Sequence, residues 1–246
     1  MKPSLLKVGM VAAMLLIASS AFAAGVRLSW QTCGGDGLVQ NRTFACANNI
    51  GNSSIVGSYQ LDADILQVNG DELVLDLIAQ TAPTLPDWWT FVTVGTCRQA
   101  SLSIAAQDGT ACPDMFSLQA SMNIAAYQLD RANGGNPLGT ARILCVNAVQ
   151  TALIVDLTAG QEYGIARFTI NNQKSVGAGS CAGCAVPVCI VFNSANITTE
   201  GGISDTRLTT ALNPGENMIT WQGAGADCNA VPARNTTWGA VKSLYR

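Results

Sequence analysis

Between Cys181 and Cys189 the chain reads Cys-Ala-Gly-Cys-Ala-Val-Pro-Val-Cys and runs on as Ile-Val-Phe-Asn-Ser, so three of its nine cysteines open straight into an apolar segment. The other six are Cys33, Cys46, Cys97, Cys112, Cys145 and Cys228. Such a set can serve redox chemistry, a metal or disulfides, and each demands a different context. A redox Cys-x-x-Cys opens a helix in a βαβ unit. Here Pro187 and the β-branched run Val188-Cys-Ile-Val-Phe192 follow, which is strand chemistry. A zinc site would have to draw its fourth ligand from a distant cysteine such as Cys145 or Cys228, because the chain has no histidine. Disulfides fit best, provided the chain is exported. Nine is odd, so one thiol is left over or pairs between chains. Loop spacing suggests Cys33 with Cys46 and Cys97 with Cys112; closing a loop of about 15 residues is worth about 3 kcal/mol in the chain-entropy model.

The N-terminus supplies the address. Lys2 and Lys7 form a positive n-region, Val8 to Ala18 an apolar h-region, and Ala21-Phe22-Ala23 a small-x-small cleavage site. Residues 1–23 are thus expected to be a signal peptide and 24–246 a single mature domain, secreted to the extracellular space or periplasm. The h-region falls short of the roughly 20 apolar residues of a spanning helix, and nothing after it is long and apolar enough to cross a bilayer. The first cysteine is Cys33, which argues against a lipid anchor at the cleavage point.

Charged residues make up only 12% of the chain, against roughly 25% in an average domain. Setting Lys2 and Lys7 aside leaves 11 basic against 16 acidic residues. No Lys/Arg cluster is present, which excludes a phosphate-backbone reader, so no nucleic-acid partner is expected.

Strand signals dominate the remainder. Val26 to Trp30 alternates, Gly34-Gly-Asp-Gly37 is a turn, and Arg42 to Cys46 and Ser54 to Leu61 read as further strands. Asn69-Gly70 predicts a two-residue hairpin between Ile65–Val68 and Glu72–Ile78, the latter apolar enough to be central in a sheet. After a loop holding Pro83 and Pro86, strands are expected at Thr90–Val94, Ser101–Ala105, Ser121–Leu129 and Ala141–Val149, with an Asn133-Gly-Gly-Asn-Pro137 turn. Short punctuated strands without long helices between them predict an all-β, antiparallel β-sandwich, immunoglobulin-like or jelly-roll-like. Leu157-Thr-Ala-Gly-Gln-Glu-Tyr163, leading into Gly164–Ile170, resembles the tyrosine corner of immunoglobulin-like and fibronectin-like sandwiches, in which a hydroxyl bonds upstream backbone. Trp238, Val241 and Tyr245 share one helical face after an Asn235-Thr-Thr237 cap, predicting a short C-terminal helix.

Three short motifs, Asn41-Arg-Thr-Phe-Ala-Cys46, Leu85-Pro-Asp-Trp-Trp89 and Trp238-Gly-Ala-Val-Lys-Ser-Leu-Tyr-Arg246, are similar to a loose group of uncharacterised exported bacterial β-rich proteins. The resemblance implies export and a β-rich body and carries no site residues.

The absence of histidine excludes Ser-His-Asp and Cys-His catalysis, and no nucleophile elbow, P-loop or dinucleotide fingerprint is present. Chemistry would fall to carboxylates. Asp62, Asp64, Asp71, Glu72 and Asp76 lie close in sequence; they could flank a glycosidic bond or hold calcium, although they also suit solvated turns. Trp88 and Trp89, on a Pro-bounded loop, could offer flat rings to a sugar, or plug the end of the sandwich. Triplets Asn-x-Ser/Thr begin at Asn41, Asn52, Asn196 and Asn235 and are read as chance in a bacterial setting. The expected function is a non-enzymatic, cofactor-free surface, structural or interaction module with a protein or glycan partner. The alternatives are a carbohydrate-binding module using Trp88 and Trp89, and, more distantly, a carboxylate glycoside hydrolase.

Overall fold

The computed structural model describes residues 22–106, 112–117, 119–129, 139–223 and 228. The expected signal segment up to residue 21, the Asn133–Pro137 turn and the C-terminal helix lie outside the described residues. Among the described residues twelve strands follow in order: β1 (Gly25–Trp30), β2 (Asn41–Arg42), β3 (Asn52–Gln60), β4 (Ile65–Ala79), β5 (Leu102–Ala105), β6 (Ser121–Leu129), β7 (Thr140–Ala148), β8 (Val155–Leu157), β9 (Glu162–Asn171), β10 (Val188–Thr199), β11 (Thr206–Leu208) and β12 (Met218–Trp221). They form a four-stranded sheet in the order β1-β3-β9-β5 and a larger sheet in the order β2-β12-β10-β4-β7-β6, with β11 on β10 and β8 on β4. Every named pairing is antiparallel except the short one between β2 and β12. The chain is an all-β sandwich.

The core lies between the sheets and follows the period of two that strands impose. On β4, Leu73, Leu75 and Leu77 point inward and are buried, as are Cys145, Ile143 and Ala141 opposite them on β7. Val26, Leu28 and Trp30 of β1 and Ile165 and Phe168 of β9 belong to the same core. The tyrosine corner is present: the Tyr163 hydroxyl accepts a hydrogen bond from the Thr158 backbone N–H at 2.9 Å, tying the β9 start to the chain five residues upstream.

Four expectations are corrected. Asn69-Gly70 is no hairpin turn; it lies within the single 15-residue strand β4, which pairs with β7 on one side and β10 on the other. A Cβ on Gly70 would sit 2.6 Å from the Asn147 carbonyl oxygen and 3.1 Å from Thr198 Oγ1. The glycine therefore serves close approach of three strands rather than a turn. Thr90–Val94 is not a strand, and the strand expected over Arg42–Cys46 ends at Arg42. Beyond that point Phe44 turns its ring onto Trp221 instead of continuing a ladder, with centroids 3.8 Å apart.

The cysteine pairing is the fourth correction. The bonds are Cys33–Cys112, Cys46–Cys184, Cys97–Cys181 and Cys189–Cys228, spanning 79, 138, 84 and 39 residues, and Cys145 is the buried free thiol. No loop-local pair exists; each bond joins segments that the fold brings together. Four disulfides belong to an oxidising compartment. Among the described residues no helix is long and apolar enough to cross a membrane.

Candidate functional site

Two of the four disulfides meet at one end of the sandwich, where Cys46–Cys184 and Cys97–Cys181 anchor the Cys181–Pro187 loop. Pro86, with its φ of −63°, leads into a single 3-10 turn at Asp87–Trp89. The Trp88 amide donates to the Ala182 carbonyl at 2.9 Å, and its indole N–H donates to Ser175 Oγ at 3.0 Å. Gly183, at φ 110°, lies against Pro86, and a Cβ there would stand 2.2 Å from the proline ring. The turn and the cysteine loop thus pack backbone to backbone.

Both tryptophans are 0% exposed. Trp88 lies 4.8 Å and Trp89 5.3 Å from the Trp221 ring, centroid to centroid, and Phe91, Phe44 and Trp30 extend the same cluster. The rings are therefore not a sugar platform; they plug the end of the core. Aromatic pairs at such spacings add about 0.5–1.5 kcal/mol each beyond the area they bury.

Arg98, which the sequence did not single out, completes this end. Its guanidinium lies 3.5 Å above the Trp88 ring and 5.2 Å from Phe91, and it donates to the carbonyls of Trp88 and Asn171. Burial pushes its pKa down to about 9, which still leaves it cationic at neutral pH. A π face and two carbonyls replace the water of its two terminal nitrogens, while Nε is buried without a hydrogen-bond partner. Trp88 and Phe91 lie within ten residues of it, but no strand or helix periodicity marks the contact, and its other partner, Asn171, is 73 residues away.

The acidic residues disperse. Asp62 is exposed, and Asp64 accepts a hydrogen bond from the Ala159 amide at 2.8 Å. Asp76, on the outer face of β4, is held by Arg142 in a bidentate pair at 2.7 and 2.8 Å and accepts from Asn193 Nδ2 at 2.8 Å. Glu72 shares that outer face, and desolvation raises its pKa against the opposing pull of Arg207.

Asp71 points the other way. It is 3% exposed and lies on the core face of β4 opposite Asn147 of β7, whose Nδ2 donates to Asp71 Oδ2 at 3.4 Å. Desolvation, with a further push from Asp114, raises its pKa to about 8. Asp71 Oδ1 and Asn147 Oδ1 are both buried without a hydrogen-bond partner. Desolvation of a carboxyl so placed favours its neutral, protonated form. Burial and the same Asp71 carboxylate hold the Cys145 thiol and the Tyr59 hydroxyl well above their usual pKa values. Period-two alternation could have revealed Asp71 as inward, had the hairpin reading not broken the strand just before it. The five carboxylates therefore do not converge on a cleft, and among the described residues no group of three or more Cys, Asp or Glu side chains is placed to hold a metal ion.

No family model matches the chain, and no curated protein matches it. Among solved structures it is similar to a cohesin module from a family 33 glycoside hydrolase of Clostridium perfringens, at 6% identity and a TM-score of 0.34 over 77% of this chain and 98% of that one. It is also similar to the second type II cohesin module of the adaptor scaffoldin ScaA of Acetivibrio cellulolyticus, at 8% identity and a TM-score of 0.29 over 77% and 91%. A third similarity is to the C-terminal domain of the Streptococcus pyogenes antigen I/II-family protein AspA, at 10% identity and a TM-score of 0.28 over 81% and 46%. These scores reach no further than a shared β-rich architecture.

Proposed function

We propose that this chain is an exported, non-enzymatic β-sandwich that acts at the cell surface or in the periplasm as a structural or interaction module. The observation that supports this reading is where the candidate chemistry has gone. Trp88 and Trp89 fill the core, Asp76 is committed to Arg142, and Asp71 faces inward, neutral, between the sheets. Side chains used in this way build a rigid framework, and recognition then falls to sheet edges and loop surfaces. The weakly charged surface suits contacts made through backbone and neutral polar groups.

The test compares the chain extracted gently from the cells that make it with the purified chain offered a panel of polysaccharides and chromogenic glycosides. Migration of the extracted chain in a discrete species larger than one chain, with no sugar released, supports the proposal. Glycoside turnover that Asp62→Asn or Asp64→Asn abolishes overturns it, as does a chain that is monomeric in its native extract.

A further inference from the structure

Sheet edges offer unpaired backbone groups to any passing strand, so proteins cover, shorten or charge them. This sandwich does so at most of its edges. The segment 210–216 covers β1, with Val26 N–H donating to Thr210 O, Leu28 N–H to Glu216 O, and Leu212 N–H to Val26 O, while Trp30 N–H donates to Val39 O. At their own edges β5 is four residues long, β8 and β11 three each and β2 only two. The remaining edge strand, β6, is nine residues long, Ser-Met-Asn-Ile-Ala-Ala-Tyr-Gln-Leu, without a charged residue or a proline. Among the described residues no strand pairs beyond it.

The sequence of β6 has a second property. A register shift between Ile124 and Ala126 places one extra residue, Ala125, in the strand relative to β7. Before the bulge Met122 and Ile124 sit opposite Asn147 and Cys145; after it Tyr127 and Leu129 sit opposite Ile143 and Ala141. Those four β7 residues are buried on the core face. Asn123, by contrast, sits opposite Val146 and Gln128 opposite Arg142, on the outer face. The strand is therefore a palindrome of residue classes about the Ala125–Ala126 bond. Apolar residues at 122 and 124 mirror those at 127 and 129, and amide 123 mirrors amide 128. In a regular strand positions related by such an axis would point to opposite faces; the extra residue brings them to the same face.

We infer that β6 is the interface for a second copy of this chain, the two strands pairing antiparallel about a twofold axis between Ala125 and Ala126. A twofold contact requires a self-complementary surface, and β6 is one. Met122 meets the partner's Leu129, Ile124 the partner's Tyr127, and Asn123 the partner's Gln128, with no like charges opposed. The twofold stands perpendicular to the sheet, so the core faces of both copies stay on one side and the two larger sheets join into one. Met122, Ile124, Tyr127 and Leu129, only partly buried against their own core, gain neighbours of their own kind. The inference deepens the interaction reading by naming the partner, and it rests on that reading.

Light scattering of the purified full chain over a concentration series tests it, with two pairs of substitutions on the outer face. The natural chain is expected to give the mass of two chains. Asn123→Lys with Gln128→Lys sets ammonium against ammonium at two rungs and is expected to weaken the dimer at least ten-fold. Asn123→Lys with Gln128→Glu makes the same rungs complementary and is expected to restore it. An unchanged thermal midpoint in each variant shows that the sandwich itself is intact. A monomeric natural chain, or a dimer indifferent to the Lys/Lys pair, overturns the inference. A purified monomer that nevertheless migrates in a larger species when extracted from its cells overturns the β6 dimer and leaves the interaction reading standing; a monomer in both settings overturns both.

Discussion

Asp71 is where burial and ionisation conflict most directly, and the conflict has a sign. Its folded pKa is raised to about 8, whereas in the unfolded chain a carboxyl titrates near about 3.9. Between these values the folded state holds a proton that the unfolded state has released, so stability falls as pH rises through that window and levels off above it. The groups facing Asp71 are Asn147 beside it, Cys145, Tyr59 and Asp114; the first cannot ionise, and Cys145 and Tyr59 are raised out of the window. Urea unfolding at pH values from 4 to 9 is expected to show a loss on the order of a few kcal/mol, and Asp71→Asn, which keeps shape while removing the charge, is expected to flatten the curve. An Asp71→Asn curve with the same slope as the natural chain would show that another group carries the dependence.

At the level of elements, legibility tracked how locally each was determined. Strands β1, β3, β7, β9 and β10 announced themselves because their alternation or apolar runs are set by burial of a face, which sequence records. The tyrosine corner was legible for a similar reason: donor and acceptor lie five residues apart. Asn69-Gly70 misled because one residue pair satisfies two demands, a turn's positive φ and a crowded ladder's lack of Cβ. Only knowledge of β7 and β10 on either side separates them. The Trp88-Trp89 pair was ambiguous for the same reason, since its partners, Trp221 and Phe91, are set by tertiary packing. The close approach at Gly70 makes the distinction measurable. Gly70→Ala, harmless or mildly disruptive in an exposed hairpin, must here displace the Asn147 carbonyl. It is expected to cost about 1–3 kcal/mol in chemical denaturation. A change below about 0.5 kcal/mol would place Gly70 in a freer environment than β4 provides.

For the whole molecule the disulfides decide how the sandwich holds together, and their long spans explain why spacing misjudged them. Contacts across 79, 138 and 84 residues are consequences of the fold, so no count along the chain could select them among the many possible pairings. Cys33–Cys112 joins the loop after β1 to the segment between β5 and β6, Cys46–Cys184 and Cys97–Cys181 lock the aromatic end, and Cys189–Cys228 fastens the chain beyond β12 to β10. Loops this long give each bond roughly 4–5 kcal/mol in the chain-entropy model, against a typical measured range of about 2–5. Cys145 stands apart, buried on the core face of β7 with its thiol pKa raised by desolvation and by Asp71. A thiolate is the reactive form, so the native chain is expected to give no reaction with an aromatic disulfide reagent. The same chain in denaturant without reductant is expected to give one thiol per chain. Blocking that thiol with iodoacetamide in denaturant and digesting without reduction should place the label on Cys145 and recover the four long-range pairs. Label on any other cysteine, or a peptide joining Cys33 to Cys46, would mean that the two sheets are stapled differently from the arrangement described.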